Sequence, residues 1–145
     1  MTREEYNEEK KLAEELEFDI NMFGCVMCDE ACKICNGIGP AAFPDVFIAA
    51  LNKLHPSLKP VADNHDMGFH FGSGTPKDFK DVNDAFYTNG CKVAKWRYGF
   101  YDPRRYIVMF DAWKFARACQ TKFGWDAYLA AINQRKSMAN ATVNK

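Results

Sequence analysis

Asn64-His65-Asp66-Met67-Gly68-Phe69 is the stretch on which the reading of this chain turns. Pro60 precedes it at a first-turn position, and Val61, His65, Gly68 and Phe69 recur at helical spacing, so a helix is predicted that points His65 where its apolar residues point. Asp66 falls a quarter turn round, with Ala62. Upstream, Pro44 to Leu54 predicts a helix with Val46, Phe47, Ala50, Leu51 and Leu54 inward, ended by His55-Pro56. Before that, Cys35-Asn36-Gly37-Ile38-Gly39-Pro40 must break a helix, because two glycines admit positive φ and proline removes a donor. Downstream, Phe71-Gly72-Ser73-Gly74-Thr75-Pro76 is a turn. Phe79, Val82, Phe86 and Val93 then mark a helix over roughly 77–95, with Asp84 on a second face beside Tyr87, Thr88 and Cys91.

The flanks extend the same pattern. Thr2-Arg3-Glu4-Glu5 has capping-box spacing, and Leu12, Leu16 and Ile20 follow at helical intervals, so residues 3–20 read as an amphipathic helix. Residues 105–121 predict another, with Val108, Ala112, Phe115 and Cys119 on one side and Trp113 and Ala116 beside them. Phe123-Gly124-Trp125 turns into a last helix to about residue 135, and residues 136–145 read as a frayed polar tail. With no repeat, strand pair or linker, the expectation is one mainly α domain over 1–145, a compact body of about six helices whose site-bearing core is 36–95.

Composition agrees with that. The chain has 145 residues, 48% of them hydrophobic and 14% aromatic, enough for a compact core and against global disorder. Nineteen basic and nineteen acidic residues cancel, so the total charge calls for neither nucleic acid nor an anionic membrane. Their distribution is uneven: residues 1–20 hold eight acids and three bases, and residues 92–136 hold ten bases and three acids. No basic leader followed by an apolar run opens the chain, and no run approaches the ~18–20 apolar residues of a membrane span. The expectation is a soluble protein, cytoplasmic or virion-associated.

Cys25, Cys28, Cys32 and Cys35 would share one stripe of a helix. Three readings stand: buried thiols packed as small hydrophobes, a zinc or iron–sulfur site, or disulfides with Cys91 and Cys119 as outside partners. The absent leader favours reduced thiols. From Lys95 to Tyr106, cations alternate with Trp96, Tyr98, Phe100 and Tyr101 around a turn. That mixture can insert into a phospholipid membrane surface, stack on bases or anchor a protein partner, and its structural alternative is a corner with rings folded inward.

The central pieces also suggest a chemistry. A histidine takes a proton from water while one carboxylate orients it, and a second carboxylate with loop carbonyls holds a hard cation that polarises the attacked carbonyl. Asn36-Gly37-Ile38-Gly39, His65-Asp66 and Asn83-Asp84-Ala85-Phe86 together resemble the phospholipase A2 superfamily, especially its short viral and microbial branch. The resemblance covers about fifty residues. It implies a phospholipase A2-like core and calcium-dependent phospholipid ester hydrolysis, with His65 as general base, Asp84 as its orienting carboxylate, and Asp66, Gly37 and Gly39 as calcium ligands. The spacing is also similar to small bacteriophage proteins, which implies the alternative of a non-catalytic interaction or particle component.

Overall fold

Thr2 begins the first helix as its sequence predicts. Its Oγ1 accepts from the Glu5 amide at 3.2 Å, and the Glu5 carboxylate accepts from the Thr2 amide at 2.6 Å, which closes a capping box. The computed structural model describes residues 1–35 and 53–143, with side chains described as far as 137. Among these residues six α-helices and no strand are found: α1 (Arg3–Glu15), α2 (Cys28–Ile34), α3 (Lys59–Phe71), α4 (Pro76–Arg97), α5 (Pro103–Cys119) and α6 (Lys122–Val143). Short 3₁₀ turns at Met22–Gly24 and Pro56–Leu58 precede α2 and α3. The mainly helical, single-domain expectation therefore holds.

Helix α1 stops before the predicted residue 20. The Glu17 amide bonds the Glu14 carbonyl at 3.2 Å and the Phe18 amide reaches back to the Ala13 carbonyl at 2.9 Å, a Schellman closure that buries Phe18 and Ala13 together. Glu17 takes the left-handed conformation that such a closure usually reserves for glycine, with φ 50, and Ile20 follows at φ 51. Two buried asparagines hold this corner. Asn89 accepts from the Asp19 amide at 2.8 Å and donates to the Asp19 carbonyl at 2.9 Å. Asn64 accepts from the Met22 amide at 2.8 Å and donates to the Ile20 carbonyl at 3.0 Å.

The remaining helices pack closely because small residues let them. A β-carbon on Gly68 of α3 would lie 2.8 Å from Val82 Cγ1 of α4, and one on Gly90 of α4 would lie 2.5 Å from Ala112 Cβ of α5. Phe23, Leu58, Val61, Met67 and Val93 fill the core between these helices. Helix α6 closes one end through Tyr128, whose hydroxyl donates to Asp78 at 2.6 Å and accepts from the Gly74 amide at 3.0 Å. It runs to Val143, through most of the stretch read as a polar tail. The expected Gly37–Gly39 loop lies outside the described residues, as does the predicted 44–54 helix except for Lys53 and Leu54, which are helical.

Candidate functional site

His65 points inward from α3, as the spacing of its apolar neighbours predicts. It is 6% exposed, with its ring centroid 4.2 Å from Phe69 and 5.3 Å from Phe86. Its Nε2 lies 2.9 Å from Asn83 Oδ1 on α4. The Asn83 amide nitrogen donates to the Phe79 carbonyl at 2.8 Å, which assigns the amide orientation and turns Oδ1 toward the histidine. An oxygen acceptor there requires Nε2 to carry the proton. Burial lowers the His65 pKa to about 4, so the ring is neutral at pH 7 with Nε2 occupied as a donor.

The expected pairing of His65 with Asp84 is replaced by this bond to Asn83. Asp84 sits next along α4, its side chain 46% exposed; it takes an ion pair from Lys80 and a hydrogen bond from Gln120 Nε2 at 2.9 Å. The reason is helical geometry: successive residues project about 100° apart, so Asn83 faces α3 and Asp84 turns toward α5 and its C-terminus. Asp66 is half-buried on α3, and its charge helps to raise the Cys35 and Cys119 thiols after burial has done most of that work. Gly37 and Gly39 lie outside the described residues.

The cysteine stripe does not converge either. Cys25 sits at the end of the 3₁₀ turn, Cys28 begins α2, and Cys35 caps it in extended backbone, so no single helix carries all four. Cys28 and Cys32 Sγ atoms are 3.8 Å apart, while Cys35 is buried and donates to the Asp63 carbonyl at 3.4 Å. All six cysteines are free thiols. Among the described residues, no three His, Cys, Asp or Glu side chains are grouped to hold a metal ion.

A buried charge cluster that the sequence did not announce lies nearby. Lys59 at the start of α3 places Nζ 2.7 Å from Glu9 of α1 and 2.7 Å from Asp63, which is wholly buried. Burial, reinforced by the Asp63 charge and opposed by Lys59, raises the Glu9 pKa to about 8. Burial works to lower Lys59, but the two carboxylates outweigh it and hold the ammonium above its ordinary range. One cation between two carboxylates favours a retained proton, in keeping with the upward shift of Glu9. A cavity of about 290 Å³ opens beside Glu9 and Lys59, bordered also by Glu5, Glu8 and Leu12.

The most extended feature is on the surface. Trp96, Phe100 and Tyr101 are exposed, the last at 94%, so these three rings do not fold into the corner. Tyr98 is half-buried instead, 3.2 Å from Ser57 Oγ through its hydroxyl. The exposed apolar surface then continues along α5 through Tyr106, Ile107, Phe110 and Trp113, which recur at i, i+1, i+4 and i+7. Trp113, read from sequence beside the inner face, faces outward. Phe110 and Trp113 stack at 5.7 Å, Lys114 lies over Phe110 at 5.1 Å, and Arg105 lies over Phe100 at 5.5 Å. Helix α5 is thus apolar on two faces, one buried through Ala112 and Ala116 and one in solvent.

Compared with protein-family models, curated proteins and solved structures, the chain matches none of them. The resemblance to phospholipases A2 accordingly rests on the residues quoted for it. No helix among the described residues is long and apolar enough to cross a membrane.

Proposed function

We propose that this is a non-catalytic binding protein that docks on anionic phospholipid surfaces through the outer face of α5 and the 96–101 turn. The observation behind this reading is the stripe Tyr106, Ile107, Phe110 and Trp113, continuous with Phe100 and Tyr101 and flanked by Arg104, Arg105, Lys114 and Arg117. Contiguous exposed apolar residues rimmed by polar ones mark interaction sites. Its composition favours lipid over an apolar protein groove: tryptophan and tyrosine suit the headgroup boundary, and a cationic fringe suits anionic lipid. Asp102 and Asp111 are the acids within the 96–117 segment, and each is already engaged by cations.

Flotation with vesicles of phosphatidylglycerol and of phosphatidylcholine tests the reading. Binding to the anionic vesicles, weakened by salt and reduced by about tenfold or more in the double variant Phe110→Ser, Trp113→Ser, is expected; tenfold corresponds to about 1.4 kcal/mol. Equal indifference to both vesicle types would reject lipid docking and leave the face to a protein partner.

A further inference from the structure

A cavity of about 440 Å³ opens between the Pro56–Leu58 turn and the first half of α5. One part of its wall is polar. His55 Nδ1 lies 3.0 Å from Asp111 Oδ2, and Asp111, its side chain 7% exposed, also takes an ion pair from Lys114 at 2.7 Å. Ser57, 3% exposed, and Tyr98 pair through their hydroxyls at 3.2 Å, and the Arg104 guanidinium lies 5.0 Å from the Tyr98 ring centroid. Lys53 stands at the rim, and Leu54, Ile107 and Val108 supply an apolar side.

These groups form a donor set for an anion. In the Ser57–Tyr98 pair one hydroxyl donates and the other accepts, so the acceptor retains a proton to give. Asp102 engages Arg104 Nε and Nη2, and among the described residues no hydrogen bond occupies Nη1, so its hydrogens can meet a ligand. The 3.0 Å contact of His55 Nδ1 with Asp111 holds the ring at the cavity wall. Several hydrogen-bond donors around one cavity suit the oxygens of a phosphate, and the adjoining apolar side suits a hydrocarbon tail. The volume falls in the range of small-molecule sites.

We propose that this cavity binds a single acidic amphiphile, a phosphate headgroup attached to an apolar chain. The site shares Ile107 and Arg104 with the docking face but not the exposed Phe110 and Trp113 rings, and the inference does not depend on vesicle docking.

Titration calorimetry of the full chain with three probes tests it: inorganic phosphate, glycerol 3-phosphate, and dihexanoyl phosphatidic acid below its micelle concentration. Saturable one-to-one binding of the short-chain lipid, at least about tenfold tighter than either tailless probe, is expected. Arg104→Gln, at a largely exposed side chain, and His55→Gln should each weaken it about tenfold or more, whereas Phe110→Ser with Trp113→Ser should leave it unchanged while vesicle docking fails. Equal affinity for tailed and tailless probes would overturn the amphiphile assignment and point to a free phosphate ester. No saturable binding of any probe, or binding indifferent to both pocket variants, overturns the site itself.

Discussion

Asn83 fixes the protonation of His65: its amide nitrogen is spent on the Phe79 carbonyl, so its oxygen faces Nε2 at 2.9 Å and demands a donor. That nitrogen is therefore not the lone pair a general base would use. We expect long-range proton–nitrogen spectra at pH 7 to show the Nε2–H tautomer, with a titration midpoint below pH 5. An Nδ1–H tautomer, or a midpoint near the ordinary value, would reopen the catalytic role.

The same ring sets an acid limb of stability. Its folded pKa of about 4 lies below its ordinary 6.5, so between these values the unfolded chain binds more protons. Stability from this group is complete above pH 6.5 and is lost as pH falls through 4. His65→Gln should flatten this limb in urea unfolding series and cost roughly 1–3 kcal/mol at pH 7 through its altered packing and hydrogen bond. An unchanged pH slope in the variant would show that the ring titrates normally.

Glu9 acts in the opposite direction. A carboxyl whose folded pKa is about 8 against an ordinary 4.5 is more protonated in the folded state, so its contribution is full below pH 4.5 and fades as pH rises through 8. Glu9→Gln, which mimics the protonated form, should match the unmutated protein near pH 5 and exceed it in stability above pH 8. If the two stability curves stay parallel from pH 5 to 9, Glu9 is charged in the fold.

Local signals in the sequence were the legible ones. Thr2 and Glu5 cap α1 within four residues, and the inward face of α3 follows from period alone, so both could be read. The end of α1 could not, because Glu17 stands where glycine would have marked the Schellman turn, and its supports, Asn64 and Asn89, are distant in sequence. The buried partner of His65 was hidden for a related reason. Choosing Asp84 over Asn83 depends on which face of α4 meets α3, and that is set by the close contact of Gly68 with Val82. His55 gave no signal, since its partner Asp111 lies on another helix and its position before Pro56 read as a helix end.

That corner makes its own prediction. Asn89→Ala leaves the Asp19 amide and carbonyl without their side-chain partner at a part-buried corner and should cost on the order of 1–3 kcal/mol. Glu17→Gly should instead stabilise by roughly 0.5–1 kcal/mol, the relief of left-handed backbone less the added freedom of the unfolded chain. Thermal unfolding that moves both variants in the same direction would contradict the clamp.

The exposed rings of the turn should be nearly neutral for stability. Trp96 and Phe100 are 53% and 63% exposed, and the Trp96 indole donates to a surface carboxylate, Glu15, at 3.2 Å. Replacing both by serine should cost less than about 1 kcal/mol and keep the melting temperature within a few degrees. A loss of ~3–5 kcal/mol, the scale for deleting a buried aromatic, would mean the rings are core.

Hydrolysis supplies the last prediction, because it separates docking from turnover on the same membrane. A calcium-dependent esterase built on His65 would need its ring to reach substrate, yet Phe69 and Phe86 pack against it and Asn83 holds Nε2 as a donor. Asp84 would need to leave Lys80 and Gln120 to orient it. Incubation with phosphatidylglycerol and phosphatidylcholine vesicles at millimolar calcium should therefore release no fatty acid above background, with His65→Gln and Asp84→Asn indistinguishable from the unmutated protein. Calcium-dependent release that disappears in both variants would overturn the non-catalytic reading and return His65 and Asp84 to the roles that resemblance gave them.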